Sequence, residues 1–441
     1  MARMNLLNLS GMPWMKTKQT HEGAPAKHIS AEQELRRSVL ACMLWESQFY
    51  EDGVAIAGRI RELVPKVAAG KVAALAVEAR EKMKLRHAPL LLVREMARLS
   101  THRQLVAETL LRVIQRADEL SEFVALYWSD GKQPLSAQVK KGLAAAFTKF
   151  DEYALAKYDR ASPVKLRDVL FLTHAKPVDA AQAELWKRLV AGELATPDTW
   201  EVALSAGADK REAWERLLSE NKLGALALLR NLRNMQEAKV DEQLVRTGLY
   251  RMKTERVLPF RFIAAARYAP QWEPELEKAM LRSLEGQPKL AGKTVLLVDV
   301  SGSMDAPLSR RAEMRRNDAA YGLAVLLREI AEQVSIYTFS DKLVRVPSRQ
   351  GFALRDAMNA SQPHGGTYLG RALGEIDEKY DRLIVITDEQ SHDAVPNPKA
   401  RGYVINVASF QNGVGYGKWV HIDGWSDSVI EYIRAAEPTL E

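Results

Sequence analysis

Residues 294–304 read Thr-Val-Leu-Leu-Val-Asp-Val-Ser-Gly-Ser-Met, an unbroken apolar run that ends in Asp-x-Ser-x-Ser. Such a run reads as a strand buried on both faces of a parallel sheet, and its polar tail falls where the next helix should begin. The motif therefore brings one carboxylate, Asp299, and two hydroxyls, Ser301 and Ser303, to the edge at which open α/β sheets collect ligands. Hard oxygen donors of this kind suit Mg²⁺ or another hard divalent cation. Two later segments extend the set. His364-Gly365-Gly366-Thr367 places a hydroxyl on a glycine loop whose bare backbone can approach an ion closely. Leu383 to Asp388 is a second apolar run ending in a carboxylate. Singly, Asp, Ser and Gly also make turns and helix caps. Three pieces in this order, on an alternating strand and helix background, define a domain built around a metal site.

The same three pieces resemble the metal-ion-dependent adhesion site of a von Willebrand A domain. The resemblance implies that Ser301, Ser303 and Thr367 bind the ion directly or nearly so, while Asp299 and Asp388 hold it largely through water. An enzymatic reading fails on residue type. Phosphatases with an Asp nucleophile need a second Asp two positions on as general acid, and Ser301 cannot protonate a leaving oxygen near neutral pH. No Gly-x-Ser-x-Gly elbow, Gly-x-x-x-x-Gly-Lys phosphate loop or His-Glu-x-x-His helix occurs. The expectation is a protein that is not an enzyme, its ion bridging to a partner's acidic group or clamping structure.

At 441 residues and 47% hydrophobic, the chain has material for two or three domains with real cores. A single cysteine, Cys42, excludes an internal disulfide and any multi-cysteine zinc site, which suits a reducing compartment. Residues 1–18 have no signal-peptide apolar core, and no stretch approaches the ~18 apolar residues of a membrane span. A cytoplasmic protein with no membrane association is expected. The net charge of +7 is unevenly spread. Residues 289–441 hold 18 Lys and Arg against 20 Asp and Glu, whereas residues 1–288 hold 45 against 36. The whole basic excess precedes the metal-site domain, and a basic region of this kind suits a polyanion, most often nucleic acid.

Residues 1–28 carry no period and read as an N-terminal arm. From Ser30 to Arg282 apolar residues recur at three- and four-residue spacing with little β-branched enrichment. Predicted helices include Ala31–Trp45, Gly53–Val64, Val72–Met83, Ala88–Leu99, Gln104–Ala117, Ala137–Lys149, Lys165–Leu172, Ala180–Val190, Lys210–Leu218 and Leu223–Gln236. Breaks fall at Asp130-Gly131-Lys132, Ser162-Pro163, Lys176-Pro177, Thr196-Pro197 and Leu258-Pro259. Many short helices over some 250 residues suggest a helical-repeat solenoid, although no clean sequence period is present. Past Gln287-Pro288, strands near 294–299, 334–339, 383–387 and 403–408 alternate with helices near 312–332, 369–379 and 426–435, the pattern of a parallel sheet covered on both faces. The expected division is 1–28, 29–288 and 289–441.

Several helical strings carry a second resemblance. Lys165-Leu166-Arg167-Asp168-Val169-Leu170-Phe171-Leu172-Thr173-His174-Ala175-Lys176-Pro177 resembles a segment of the Ro autoantigen (TROVE-domain) family. So do Trp214 with Leu226-Ala227-Leu228-Leu229-Arg230-Asn231-Leu232-Arg233-Asn234-Met235, and Leu258-Pro259-Phe260 with Ala265, Ala266 and Tyr268. The similarity runs from about residue 35 to 435. It implies a multidomain fold, an all-α HEAT-like helical-repeat ring followed by an α/β, Rossmann-like von Willebrand A domain. It further implies a monomeric, non-catalytic RNA-binding protein. The partners would be a Y-like noncoding RNA on the basic outer surface and misfolded or structured RNAs whose single-stranded 3′ ends enter the ring. If the chain is similar to the bacterial members, it acts in RNA quality control as an adaptor to an exoribonuclease, chiefly polynucleotide phosphorylase.

The residues themselves supply an RNA-binding face. Lys157, Tyr158, Arg160, Lys165, Arg167, His174 and Lys176 surround the Ser162-Pro163 turn. Lys and Arg neutralise phosphates, and Tyr or His stacks on an unpaired base. By resemblance Lys157 and His174 match positions that help bind Y RNA, whereas Arg160 stands one place early, with Ala161 at the family's arginine position. Tyr368 replaces an acid that often follows the loop threonine. Arg230 and Asn231, inside an apolar helix, read as structural, with Arg230 buried against a partner. A second functional class is a metal-dependent protein-interaction module, gripping an acidic residue of an ATPase or chaperone without RNA.

Overall fold

The computed structural model describes residues 19–20, 22–25, 29–40, 53–159, 162–205, 209–255, 257–308, 314–408, 413–424, 429–430 and 433–434. Its first part is helical: α1 (Ala31–Leu40), α2 (Gly53–Leu63), α3 (Ala69–Glu81), α4 (His87–Arg98), α5 (Val106–Val113), α6 (Asp118–Tyr127), α7 (Ala137–Phe147), α8 (Glu152–Tyr158), α9 (Leu166–Thr173) and α10 (Ala180–Ala191). It continues through α11 (Trp200–Ser205), α12 (Lys210–Ser219), α13 (Ala225–Glu237), α14 (Glu242–Arg251), α15 (Pro259–Tyr268) and α16 (Glu273–Arg282). Several helices start where a short polar side chain accepts the first free N–H: Ser136, Asp151, Asp179, Asp209 and Asp241 each accept from the backbone three residues on. Each such cap contributes about 1 kcal/mol. Pro259 opens α15 at the position where a missing N–H costs nothing. Helices α3, α5, α7 and α9 pack in succession along one row, and α12, α14 and α16 do so along another. This alternation is that of a solenoid.

Strand β1 (Leu290–Asp299) lies at the centre of a six-stranded sheet with β2 (Ala331–Phe339), β3 (Leu343–Arg345), β4 (Arg382–Thr387), β5 (Arg401–Asn406) and β6 (Val420–Asp423), in the order β3-β2-β1-β4-β5-β6. All pairs are parallel except β2 with β3. The fully parallel sheet expected from the strand pattern thus acquires an antiparallel edge, a three-residue strand too short for a periodicity signal. Helices α17 (Arg316–Ile330), α18 (Gly351–Asn359) and α19 (Leu369–Glu375) complete the described elements of this part. The predicted helix near 426–435 falls mostly outside the described residues. No helix among the described residues is long and apolar enough to cross a membrane.

Two main apolar cores organise these elements. One gathers Leu35 through Leu189, from α1 to α10. The other runs from Trp214 to Ile433, and joins α12–α16 to one face of the sheet through Leu296, Val298, Ile384 and Ile386. The opposite face, with Val295, Leu297, Leu383 and Val385, closes over α19. Alternate residues of β1 and β4 therefore point into different cores, as a pleated strand buried on both sides requires. Helix α17 lies so close to α15 that a Cβ on Gly322 would sit 2.8 Å from the Phe260 backbone nitrogen.

The first core is tied back to the sheet at the far end of the chain's path. Helix α1 reaches β6, and Gly424, at φ +96, passes the carbonyl oxygen of Leu40 and the end of Met83 where any side chain would clash. The seam is polar. Arg37, fully buried, pairs with the equally buried Glu389 and donates to Tyr416 Oη at 3.3 Å. His421 lies 3.1 Å from Glu389 and 3.0 Å from Asp423, and Tyr416 stacks on its ring at 4.1 Å. Burial disfavours the imidazolium, yet Glu389 and Asp423 outweigh it and hold the His421 pKa above its ordinary value. Arg37 and His421 thus face the carboxyl groups of Glu389 and Asp423, and α1 closes the helical stack into a ring through the sheet.

Removing one partner of a buried ion pair typically costs about 3–5 kcal/mol. Arg37→Ala should therefore lower stability by about 3 kcal/mol and split calorimetric unfolding into two transitions, one for each main core. Adding Glu389→Gln should recover part of the loss. A single transition at the parental temperature would show that the seam does not couple the two halves.

Candidate functional site

Strands β1 and β4 are neighbours, and their chains leave the C-terminal edge side by side. Asp299 ends β1, and Asp388 follows the last residue of β4; both are completely buried. The backbone N–H of Ser301 donates to Asp299 Oδ1 at 2.8 Å, and Thr387 Oγ1 donates to Oδ2 at 2.6 Å, so both oxygens of this carboxylate are oriented. Ser303 Oγ donates to Asp388 Oδ2 at 2.7 Å and lies 3.3 Å from Ser301 Oγ. The glycine loop closes over them. The N–H of Gly302 donates to the Gly365 carbonyl at 2.9 Å, and Thr367, 3% exposed, is pinned by reciprocal contacts with His392. A Cβ on Gly365 would fall 2.0 Å from the Asp341 carboxylate, so a side chain there would displace Asp341. The structure therefore collects Asp299, Ser301, Ser303 and Asp388 in one bonded cluster, with the Thr367 loop anchored on it.

The chemistry of this set is oxygen throughout. No three His, Cys, Asp or Glu side chains among the described residues group as metal ligands, so hydroxyls must supply part of any coordination sphere. The Ser303 hydroxyl spends its proton on Asp388 and keeps lone pairs for an ion. The set fits a hard divalent cation. Its electrostatics are those of crowded carboxylates: burial, and then the charge of Asp388, push the Asp299 carboxyl up to about 7.

One further group belongs to the cluster and was not read from the sequence. Arg316, the first residue of α17 and 2% exposed, directs Nη1 to Asp388 Oδ2 at 3.1 Å. The next two residues also dock inward. Asn317 donates to Asp305 at 2.8 Å, and Asp318 pairs with Arg267 of α15 at 2.7 Å. The available signal was a polar Arg-Asn-Asp triplet directly ahead of an apolar helix.

The basic residues fall on a strip rather than in one patch. Lys157 and Tyr158 end α8, where Lys157 Nζ lies 5.8 Å from the Tyr158 ring and 5.9 Å from Tyr153. Arg116 covers the Tyr158 ring at 4.8 Å, which makes the half-exposed Tyr153 the more open aromatic face; the sequence reading passed over both. Lys165 and Arg167 stand exposed at the start of α9 and both act on the Asp159 carboxyl. His174 and Lys176 lie past its other end, and His174 ends the helix in the left-handed conformation, at φ 52. An eight-residue helix separates the two ends by about 12 Å. Neither the His174 nor the Lys176 side chain has a hydrogen bond or ion pair among the described residues, and both residues are exposed. Arg160 lies outside the described residues.

Arg230 departs from expectation. Asn231 is buried and bonds the Ala227 carbonyl, but Arg230 is exposed and faces no carboxylate among the described residues. It adds positive charge beside Arg261, whose pKa falls below the ordinary arginine value through burial and then the charge of Arg230. The helix turns this residue outward one position before Asn231, a phase that the apolar neighbours disguised.

A helical ring whose ends meet on a parallel-type sheet, with an Asp-x-Ser-x-Ser cluster at the sheet's C-terminal edge, defines a ring of helical repeats joined to a von Willebrand A domain. The TROVE domain family matches residues 177–320, a stretch that runs from the end of the α9 loop into α17. The Deinococcus radiodurans RO (RSR) protein crystal structure superposes with a TM-score of 0.61 at 19% identity, over 92% of this chain and 99% of that one. Telomerase protein component 1 is 27% identical in Mus musculus and 32% in Rattus norvegicus, each over 241 residues and 50% of this chain. The match spans only 9% of those relatives' own length. Residues 177–320 thus carry the TROVE-domain match, and the chain as a whole has the fold of the Ro protein.

The raised Asp299 pKa has a defined consequence without metal. A carboxyl whose pKa is raised on folding loses stability as pH climbs from its unfolded value, near 4, and the loss is complete above 7. Relative to the parent, Asp299→Asn should therefore gain on the order of 2–3 kcal/mol between pH 5 and 7 and nothing more above it. Urea unfolding of both proteins in chelator across this range measures the difference. A pH-independent difference would show that Asp299 is ionised throughout.

Proposed function

We propose that this protein is a non-catalytic RNA-binding protein of noncoding-RNA quality control. On this reading it holds a Y-like small RNA on the α8–α9 strip, takes the single-stranded 3′ ends of misfolded or structured RNAs at the ring, and presents them to an exoribonuclease such as polynucleotide phosphorylase. The observation that carries the reading is the exposed His174 and Lys176 side chains, unopposed by any carboxylate among the described residues, just past the end of the short helix that Lys165 and Arg167 begin. Cations without internal partners neutralise phosphates at low desolvation cost, and a nearby open aromatic such as Tyr153 can stack on an unpaired base. The TROVE match begins at Pro177, immediately after this strip. The RO (RSR) protein lends the fold, not the ligand.

In the same proposal, Ser301, Ser303 and Thr367 hold a Mg²⁺ or similar ion, with Asp299 and Asp388 fixing its water. Such an ion supplies a Lewis-acidic point for a partner's carboxylate. It lies on the sheet, away from α9, so the two activities are separable. Asp299→Ala should abolish Mg²⁺ binding by calorimetry and leave RNA affinity within twofold.

Crosslinking the protein in its host, purifying it and sequencing the attached RNA tests the central claim; a discrete small structured RNA with assorted 3′ tails is expected. RNA-free protein captured with Mg²⁺-dependent protein partners would favour the interaction-module reading instead. For the strip, Lys157→Glu with His174→Ala should weaken RNA binding at least tenfold at moderate salt. Lys176→Ala should reduce the slope of log affinity against log salt by about 1. Unchanged affinity and slope would remove α9 from the interface.

A further inference from the structure

The cluster at the C-terminal edge of the sheet holds a cation of its own. Arg316 is buried, its Nη1 is 3.1 Å from Asp388 Oδ2, and the same nitrogen lies 3.5 Å from the Ser303 carbonyl oxygen. Asp388 Oδ2 thus accepts from both Ser303 Oγ and Arg316, and its other oxygen accepts from the Gln390 N–H at 3.3 Å. That leaves little lone-pair capacity for the water shell of an ion. Helix position argues that the guanidinium is there for the carboxylate. Arg316 is the first residue of α17, the end where the helix dipole disfavours a cation, and its chain neighbours Asn317 and Asp318 are fastened to other partners. Two buried carboxyl groups, Asp299 and Asp388, share this centre, and the Arg316 guanidinium stands against Asp388 before any metal arrives. A divalent ion would have to enter beside a fixed positive charge in a poorly screened site, or else displace it from Asp388.

We propose that Arg316 is the resident counter-cation of this centre, neutralising Asp388 in the metal-free protein and competing with a divalent ion for it. The inference rests on the reading of the cluster as a metal site. It makes the metal-free centre a stable, charge-compensated state, and it makes ion binding weak unless something draws the guanidinium away. A partner carboxylate is one such group, since it could take the guanidinium and the ion together. Loading with metal and capture of an acidic partner then reinforce one another.

The test uses full-length protein with Mn²⁺ as the probe, its binding followed by electron paramagnetic resonance and by thermal unfolding. Arg316→Gln should bind Mn²⁺ at least tenfold more tightly than the parent. Its melting temperature should be lower in chelator and rise more steeply with Mn²⁺. Arg316→Lys, which keeps the charge and fills most of the same space, should stay within threefold of the parent. If the parent binds Mn²⁺ and Arg316→Gln binds it no better, Arg316 does not compete and the proposal falls. A tenfold gain in Arg316→Lys would assign the effect to shape rather than charge, and would overturn it equally. If neither the parent nor folded Arg316→Gln binds Mn²⁺, the metal reading fails, and this inference with it.

Discussion

The buried pair between Arg37 and Glu389 is the contact on which the closed form of this molecule depends. Neither main apolar core spans the seam between α1 and β6, so the two halves meet there through charge rather than oil. An isolated charge in that position would be strongly unfavourable, and only reciprocal neutralisation makes it tolerable. Tyr416, Asp423 and His421 complete the compensation, with the imidazole stacked on the phenol, hydrogen-bonded to Asp423 and 3.1 Å from Glu389. Apolar contacts tolerate sliding, whereas a set of buried, mutually paired polar groups is satisfied in one register. The clasp therefore specifies how the ring closes as well as that it closes.

The clasp and the oxygen cluster are adjacent in the chain. Asp388 turns into the cluster with Ser303 and Arg316, and Glu389, the next residue, turns into the clasp with Arg37 and His421. Sending consecutive side chains to separate polar sites is what the positive φ of 63° at Glu389 achieves, a conformation that non-glycine residues adopt only under constraint from their surroundings. Two buried charge networks thus share one turn. Helix α17 makes a second connection. Arg316 holds the cluster while Asp318, two residues on, holds Arg267 in the ring.

Much of this was legible in the sequence because it is local. The apolar runs of β1 and β4, the Asp at each tip and the glycine loop carry their own signals, and the structure assembles them. The solenoid helices follow from periodicity and from breaks at proline. What escaped was of two kinds. Short elements such as β3 and β6 offer too few residues for a pattern. Long-range polar pairs have no sequence signature: nothing near Arg37 points to Glu389, which lies 352 positions away, and nothing near Arg316 points to Asp388. Arg230 illustrates a third limit, since a one-residue error of helical phase exchanges burial for exposure. Along the basic strip, residue types were readable but not their spacing, because α9 parts Lys165 from His174 by its full length.

The charge asymmetry between the two parts of the chain acquires a physical meaning from this arrangement. The basic residues of α8 and α9 belong to the first core, and the carboxylate cluster belongs to the second, so on the proposed function a polyanion and a metal ion would address different halves. Any influence of one on the other must pass through a structure that both bias. The 388–389 turn has the required property, because any shift of Asp388 also moves the backbone that presents Glu389 to Arg37. A ring closed by apolar packing would insulate its two surfaces from each other; one closed by a buried ion pair next to the Asp388 cluster cannot.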